Sequence, residues 1–437
     1  MSISRYTSAM PAVLADLSIS TRWIVPMTSR DEVFENHTLV VRDGRILDIL
    51  PTRDAANRYV AAIRLDRSEH LVLPGLVNAG VQIAPAHGVG RAGALLCIAE
   101  LLRAGTTCFC SLVHSPNESA RIAAEQGLRA VIGIPIGSGE DFTPGLELRD
   151  EYREHPSITT AFAPHGAGIS DAAFARIATL ANELDAGIVM SLHESADEIA
   201  ACVSTHGVRP VERLHGLGLL TPALTALNLV QVTAADIALA QRSGIAVVMC
   251  PQSNLRQGFG IPPIAAWVRS GLRMGLGSGP DPAMTSADFT TSADLWSDLR
   301  LAALLSDQPS AAATPRAWDA LIAATRGGAA ALGLDAHIGT LEIGKWADLC
   351  CLDQRSPALQ RALARESAPA HELPDVSKDA RMTPRALINA LVFNGGRDLV
   401  SDVWVAGRHL LSDRALTRLD WSELARRSAQ ITRITEG

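Results

Sequence analysis

From Val72 to about Leu334 the chain repeats one unit, a short apolar strand followed by an amphipathic helix. Ala92 to Ala104 reads as a helix closed by Gly105, with the strand Thr107-Cys108-Phe109-Cys110 after it. Glu118 to Gln126 precedes Arg129-Ala130-Val131-Ile132-Gly133, and Asp171 to Leu184 precedes Gly187-Ile188-Val189-Met190-Ser191-Leu192. Ala235 to Arg242 precedes Ile245-Ala246-Val247-Val248-Met249. Strand–helix alternation sustained over this length predicts parallel strands closed into a (β/α)8 barrel, here spanning about 75–336, with its sites at the strands' carboxyl ends.

The flanks follow another pattern. Short strands at Arg22–Val25, His37–Val41 and Arg45–Ile49, the last two joined by an Asp43-Gly44 turn, predict a small β unit over residues 1–74. Residues 337–437 return to strands at Asp348–Cys351 and Asp402–Ala406, which predicts a β-sandwich built from both termini. Between them, Ser356 to Pro384 is rich in Ala, Pro and charge and reads as a long surface loop or an arm toward a neighbour.

Charge and composition exclude several functions. The chain of 437 residues carries a net charge of −7 and has no basic block, which argues against nucleic acid as a partner. No apolar run reaches the roughly 18 residues that span a bilayer, and the first twenty residues lack a secretory pattern. The seven cysteines follow no framework spacing, so they read as buried free thiols in a reducing cytoplasm. Lysine occurs only at Lys345 and Lys378, outside the barrel strands, so none can form a Schiff base or bridge two metals there.

The stretch Leu71–Gln82, LVLPGLVNAGVQ, resembles the first barrel strand of the amidohydrolase superfamily, in its cytosine deaminase and chlorohydrolase branch, which includes triazine hydrolase-like and methylthioadenosine/adenosylhomocysteine deaminase-like proteins. The run IGTLEIGKWADL, Ile338–Leu349, resembles the family's signature where the chain leaves the barrel, so the resemblance covers nearly the whole chain. It implies a divalent ion held by histidines and an aspartate at strand ends, with one open position for water.

At the positions where the resemblance places those ligands, this chain has Gly80, Gln82, Ser191, Asn228 and Gly279. All are neutral, and losing the Asp along with the histidines is coherent, because a buried aspartate without its cation costs several kcal/mol. The sequence therefore predicts no bound metal and no cofactor. A long covering loop is also reduced to Ile83–Gly90.

Other family positions are kept. Glu194 stands where the resemblance implies the proton-transfer group, His193 precedes it, and Ala163-Pro164-His165 matches a substrate-holding segment. Pro251-Gln252-Ser253-Asn254-Leu255 matches the PxSNL strand end, with Asp281 a little further on. One reading makes His165, Ser253, Asn254 and Asp281 a pocket for a small polar ligand, with Glu194, His165 and His193 as catalytic candidates. The other makes these residues turn and cap chemistry that shapes loops. The expectation taken from this is a non-hydrolytic structural, regulatory or ligand-binding homologue, associating with itself or with a related chain. The alternative is a metal-independent or relocated-site hydrolase or deaminase acting on C–N bonds of a small N-heterocycle.

Overall fold

The computed structural model describes residues 13–83, 90–112, 115–137, 141–165, 169–279, 293–306, 316–366, 383–424 and 426. Eight parallel strands form the barrel: Leu76–Val81, Thr106–Leu112, Arg129–Ile136, Ile158–Pro164, Gly187–Leu192, Leu224–Asn228, Ala246–Met249 and Arg273–Leu276. Every residue of the first, sixth and seventh is buried, as expected of parallel strands covered on both faces.

The barrel closes between its first and last strands. Val81 and Gly279 form a parallel bridge, and the Gly279 N–H donates to the Gly80 carbonyl at 2.9 Å. Just below, Asn78 Nδ2 donates to Ser278 Oγ at 3.0 Å while the Ser278 N–H donates to Asn78 Oδ1 at 3.1 Å. These buried side chains satisfy each other, which removes the desolvation penalty that unpaired amides would carry. Inside the barrel, Ala79, Cys110, Val131, Val189, Leu227 and Val248 make an apolar layer beneath the strands' carboxyl ends.

Both termini join one eight-stranded sheet. Its centre is the long strand Tyr59–Pro74, paired in parallel with Val13–Ile24 and antiparallel with Leu349–Asp353. The pairing of the two ends expected from sequence is therefore direct. The return signature has a physical role at this joint: Asp348 accepts Arg129 Nε at 2.8 Å and the Ala406 N–H at 2.7 Å, so one buried carboxylate ties a barrel strand to the terminal sheet.

The segment expected to be a loop at Ser356–Pro384 is partly helical instead. Pro357–Glu366 is an α-helix that buries Leu359 and Leu363, four residues apart on one face. Leu359, Ala362 and Leu363 stand at the i, i+3, i+4 spacing of one helical face, and two buried leucines at roughly 1.5–3 kcal/mol each suffice to dock it. Residues 367–382 lie outside the described residues. The helix after the first barrel strand is Gly90–Arg103, and most of the shortened loop before it is likewise outside them.

Cys108, Cys110, Cys250, Cys350 and Cys351 are buried free thiols, and burial pushes those of Cys110 and Cys350 up to about 12, so they are inert packing residues. Among the described residues no helix is long and apolar enough to cross a membrane.

Candidate functional site

The fifth and sixth barrel strands are neighbours, and their carboxyl ends carry the site. Asn228 pairs with Leu192 in register, so both chains leave the sheet at the same level. They leave by turns that ordinary residues rarely adopt: His193, Asn228 and Leu229 have φ of 54°, 73° and 45°. The His193 carbonyl accepts from Val230 N–H at 3.0 Å and Gln231 N–H at 2.9 Å, which locks one turn onto the other.

This turn presents Glu194. Its carboxyl accepts a hydrogen bond from the Asn228 amide and another from Ser191. Burial pushes its pKa above the usual carboxylate value, and those two neutral donors only partly offset it. Ser191 and Asn228, which the sequence presents as empty ligand positions, are therefore the two groups that hold the acid. The residue itself is half-buried.

His193 is placed differently. It is fully buried; its Nδ1 lies 3.1 Å from the Gln231 carbonyl and its Nε2 accepts the Val211 N–H at 3.1 Å. Those two bonds define a neutral ring with its proton on Nδ1, and burial lowers its pKa, which keeps it neutral. The ring thus braces the Gln231 and Val211 backbone. His165 is exposed at the end of the fourth strand, against Gly137 at the end of the third.

Ser253 is buried, accepts from Gln257 Nε2 at 2.7 Å, and lies against Gly279. Asn254 is wholly buried, and neither its side-chain nitrogen nor its oxygen has a hydrogen-bond partner among the described residues. Asn228 Oδ1 is likewise buried without one. Asp281 lies outside the described residues.

Among the described residues, the strand ends do not make a zinc site of the kind the resemblance implies. A Cβ at Gly80 would stand 2.7 Å from Leu227 Cδ2, and one at Gly279 would stand 2.5 Å from Ser253 Cβ, so neighbouring side chains fill the space a ligand there would need. Gln82, Ser191 and Asn228 offer only neutral oxygen or nitrogen atoms, weak donors to zinc. Among the described residues no three His, Cys, Asp or Glu side chains cluster as a metal site.

The family model described as Amidohydrolase family matches residues 71–410, and the chain belongs to that family. A 5-methylthioadenosine/S-adenosylhomocysteine deaminase of Teredinibacter turnerae is 32% identical over 95% of this chain and 96% of its own length. One from Saccharophagus degradans is 32% identical over 94% of each chain. An adenosine deaminase from Xanthomonas campestris, solved with bound zinc, superposes with a TM-score of 0.84 at 32% identity, covering 98% of this chain and all of the other.

These likenesses correct two expectations. A non-hydrolytic scaffold is overturned by full-length relatives that are deaminases, and the absence of any metal cofactor is overturned by a neighbour that holds zinc in the same fold. The five neutral residues bear on the coordination of one ion, whereas Glu194 beside them keeps hydrogen bonds from Asn228 and Ser191. The described strand ends do not supply that ion's ligands.

Proposed function

We propose that this chain is a hydrolytic deaminase, replacing an amino group on a small N-heterocycle of the adenine nucleoside kind with oxygen from water and releasing ammonia. The observation that carries the reading is Glu194: a half-buried carboxyl at a barrel strand's end, fixed by Ser191 and Asn228 and raised in pKa by burial. Relatives spanning the full chain act, by name, on 5-methylthioadenosine and S-adenosylhomocysteine.

In this reading the charged Glu194 takes a proton from water as its oxygen adds to the carbon bearing the amine. The same group then returns that proton to the departing nitrogen, so that the C–N bond breaks, ammonia leaves and the added hydroxyl stays on the ring carbon. General acid–base catalysis of this kind contributes about 10²–10⁴-fold, and a carboxyl pKa moved toward neutrality suits both roles. Asn228 and Ser191 hold the carboxyl in place while it exchanges the proton. The buried amide of Asn254 and Oδ1 of Asn228, without hydrogen-bond partners among the described residues, are neutral groups suited to a neutral heterocycle.

The test is ammonia release by purified protein from 5-methylthioadenosine, S-adenosylhomocysteine and adenosine. Turnover of at least one, abolished in Glu194→Gln, supports the reading; no ammonia from any of them counts against it.

A further inference from the structure

We propose that Glu198 is a positioning residue that holds Glu194 in place for proton transfer, an inference that rests on the deaminase reading above. Among the described residues, Asp54, Glu118, Glu198, Glu212 and Asp236 each stand third in a helix. At Thr233 and Arg209 the acid reaches back to the capping residue's own N–H: Asp236 Oδ2 accepts Thr233 N–H at 2.7 Å, and Glu212 Oε2 accepts Arg209 N–H at 3.2 Å. Thr233 and Asp236 complete the reciprocal capping box, while Arg209 has only the carboxylate half of it, and in both the bond serves the helix.

The helix Ala196–His206 departs from that pattern. Ser195 caps it, its Oγ accepting the Glu198 N–H at 3.1 Å. The Glu198 carboxyl, however, reaches past Ser195 to the two residues before it. Oε2 accepts the Glu194 N–H at 2.7 Å and Oε1 accepts the His193 N–H at 3.1 Å. Both oxygens thus fix the backbone of the turn that carries the proposed acid, one residue of which is in the left-handed region.

The rest of that turn is held by its neighbour, through the His193 carbonyl and ring and through Asn228. Glu198 supplies the remaining backbone anchors. It does so at a cost, since it sits near Glu194 and burial works against its charge. A carboxylate kept there, where a serine already caps the helix, points to the precision of the turn as its purpose. Misplacing a proton-transfer group by about 1 Å lowers a rate by about 10²-fold.

The experiment compares Glu198→Gln and Glu198→Ala with wild type, using 5-methylthioadenosine and adenosine as probes. Glu198→Gln keeps one acceptor oxygen and the side chain's shape; Glu198→Ala keeps neither. The expected result is a fall in kcat of about tenfold in the first and about a hundredfold in the second, with KM within about twofold. Backbone hydrogen exchange should show the amides of residues 193 and 194 losing protection in Glu198→Ala while Leu192 keeps its own. In a Glu194→Gln background, Glu198→Ala should lower the residual rate no further. Wild-type turnover that neither variant reduces, with only the melting temperature falling, overturns this proposal and leaves the deaminase reading standing. No wild-type turnover on either probe overturns the deaminase reading and this proposal with it.

Discussion

Asn228 and Glu194 meet side chain to side chain across the carboxyl ends of two adjacent barrel strands, the amide donating to a carboxyl oxygen. The bond favours the charged form of Glu194 and works against the burial that raises its pKa. Asp at position 228 would keep the shape and tolerate the left-handed backbone there, but would replace a donor with a second negative charge. Asn228→Asp should therefore move the acid limb of the kcat/KM profile to higher pH, by about one unit or more, and lower the rate about tenfold at pH 6. An acid limb that stays where it is in wild type would show that this contact does not tune the reacting group.

Asp298 makes a separate prediction about stability. It is buried on the helix Leu295–Leu305, accepts the Gln252 N–H at 2.9 Å, and burial pushes its pKa up to about 7. The folded chain thus holds this proton more tightly than the unfolded one, whose value is about 3.9. Stability falls as pH rises from about 4 through about 7, and the penalty is fully present above that. Asparagine keeps the accepting oxygen and never ionises. The melting temperature of Asp298→Asn should exceed that of wild type at pH 8 by several degrees and match it near pH 4. An equal difference at both values would contradict the assignment.

The two glycines at the barrel seam should differ when each is changed to alanine. At Gly80 the added Cβ meets the far end of the Leu227 side chain, which can swing. At Gly279 it meets Ser253 Cβ at 2.5 Å, and the backbone φ is +82°. A left-handed backbone costs a non-glycine residue about 1–2 kcal/mol, and overpacking adds about 1–3 kcal/mol. Denaturant unfolding should therefore show Gly279→Ala as clearly the more damaging change. Equal stabilities would refute the packing described at the seam.

The barrel and its terminal sheet were legible in the sequence because each rests on local pattern. Strands buried on both faces read as apolar runs, and the Gly-Lys-Trp-Ala-Asp return carries Asp348, whose carboxylate makes the joint. The helix Pro357–Glu366 carries its own short apolar face, Leu359, Ala362 and Leu363, which the Ala- and Pro-rich composition of the longer segment masks. The site was legible in part. Glu194 stands out by its place after a strand, but Ser191 and Asn228 read as gaps because their value lies in a contact between strands. That contact needs left-handed backbone at His193, Asn228 and Leu229, which no local pattern announces. Ser195-x-x-Glu198 signals a helix start. It gives no sign that the carboxyl bonds two residues further back.

The deaminase reading is tested most directly by ammonia release from 5-methylthioadenosine, measured with wild type and Glu194→Gln alongside the melting temperature of each. The variant keeps the side chain's shape and removes a carboxyl whose charge burial disfavours, so it should be as stable as wild type or more so. The account predicts wild-type turnover and a loss of about 10²–10⁴-fold in the folded variant. Turnover that survives undiminished in Glu194→Gln, or a wild type that releases no ammonia from this nucleoside, S-adenosylhomocysteine or adenosine, would contradict it.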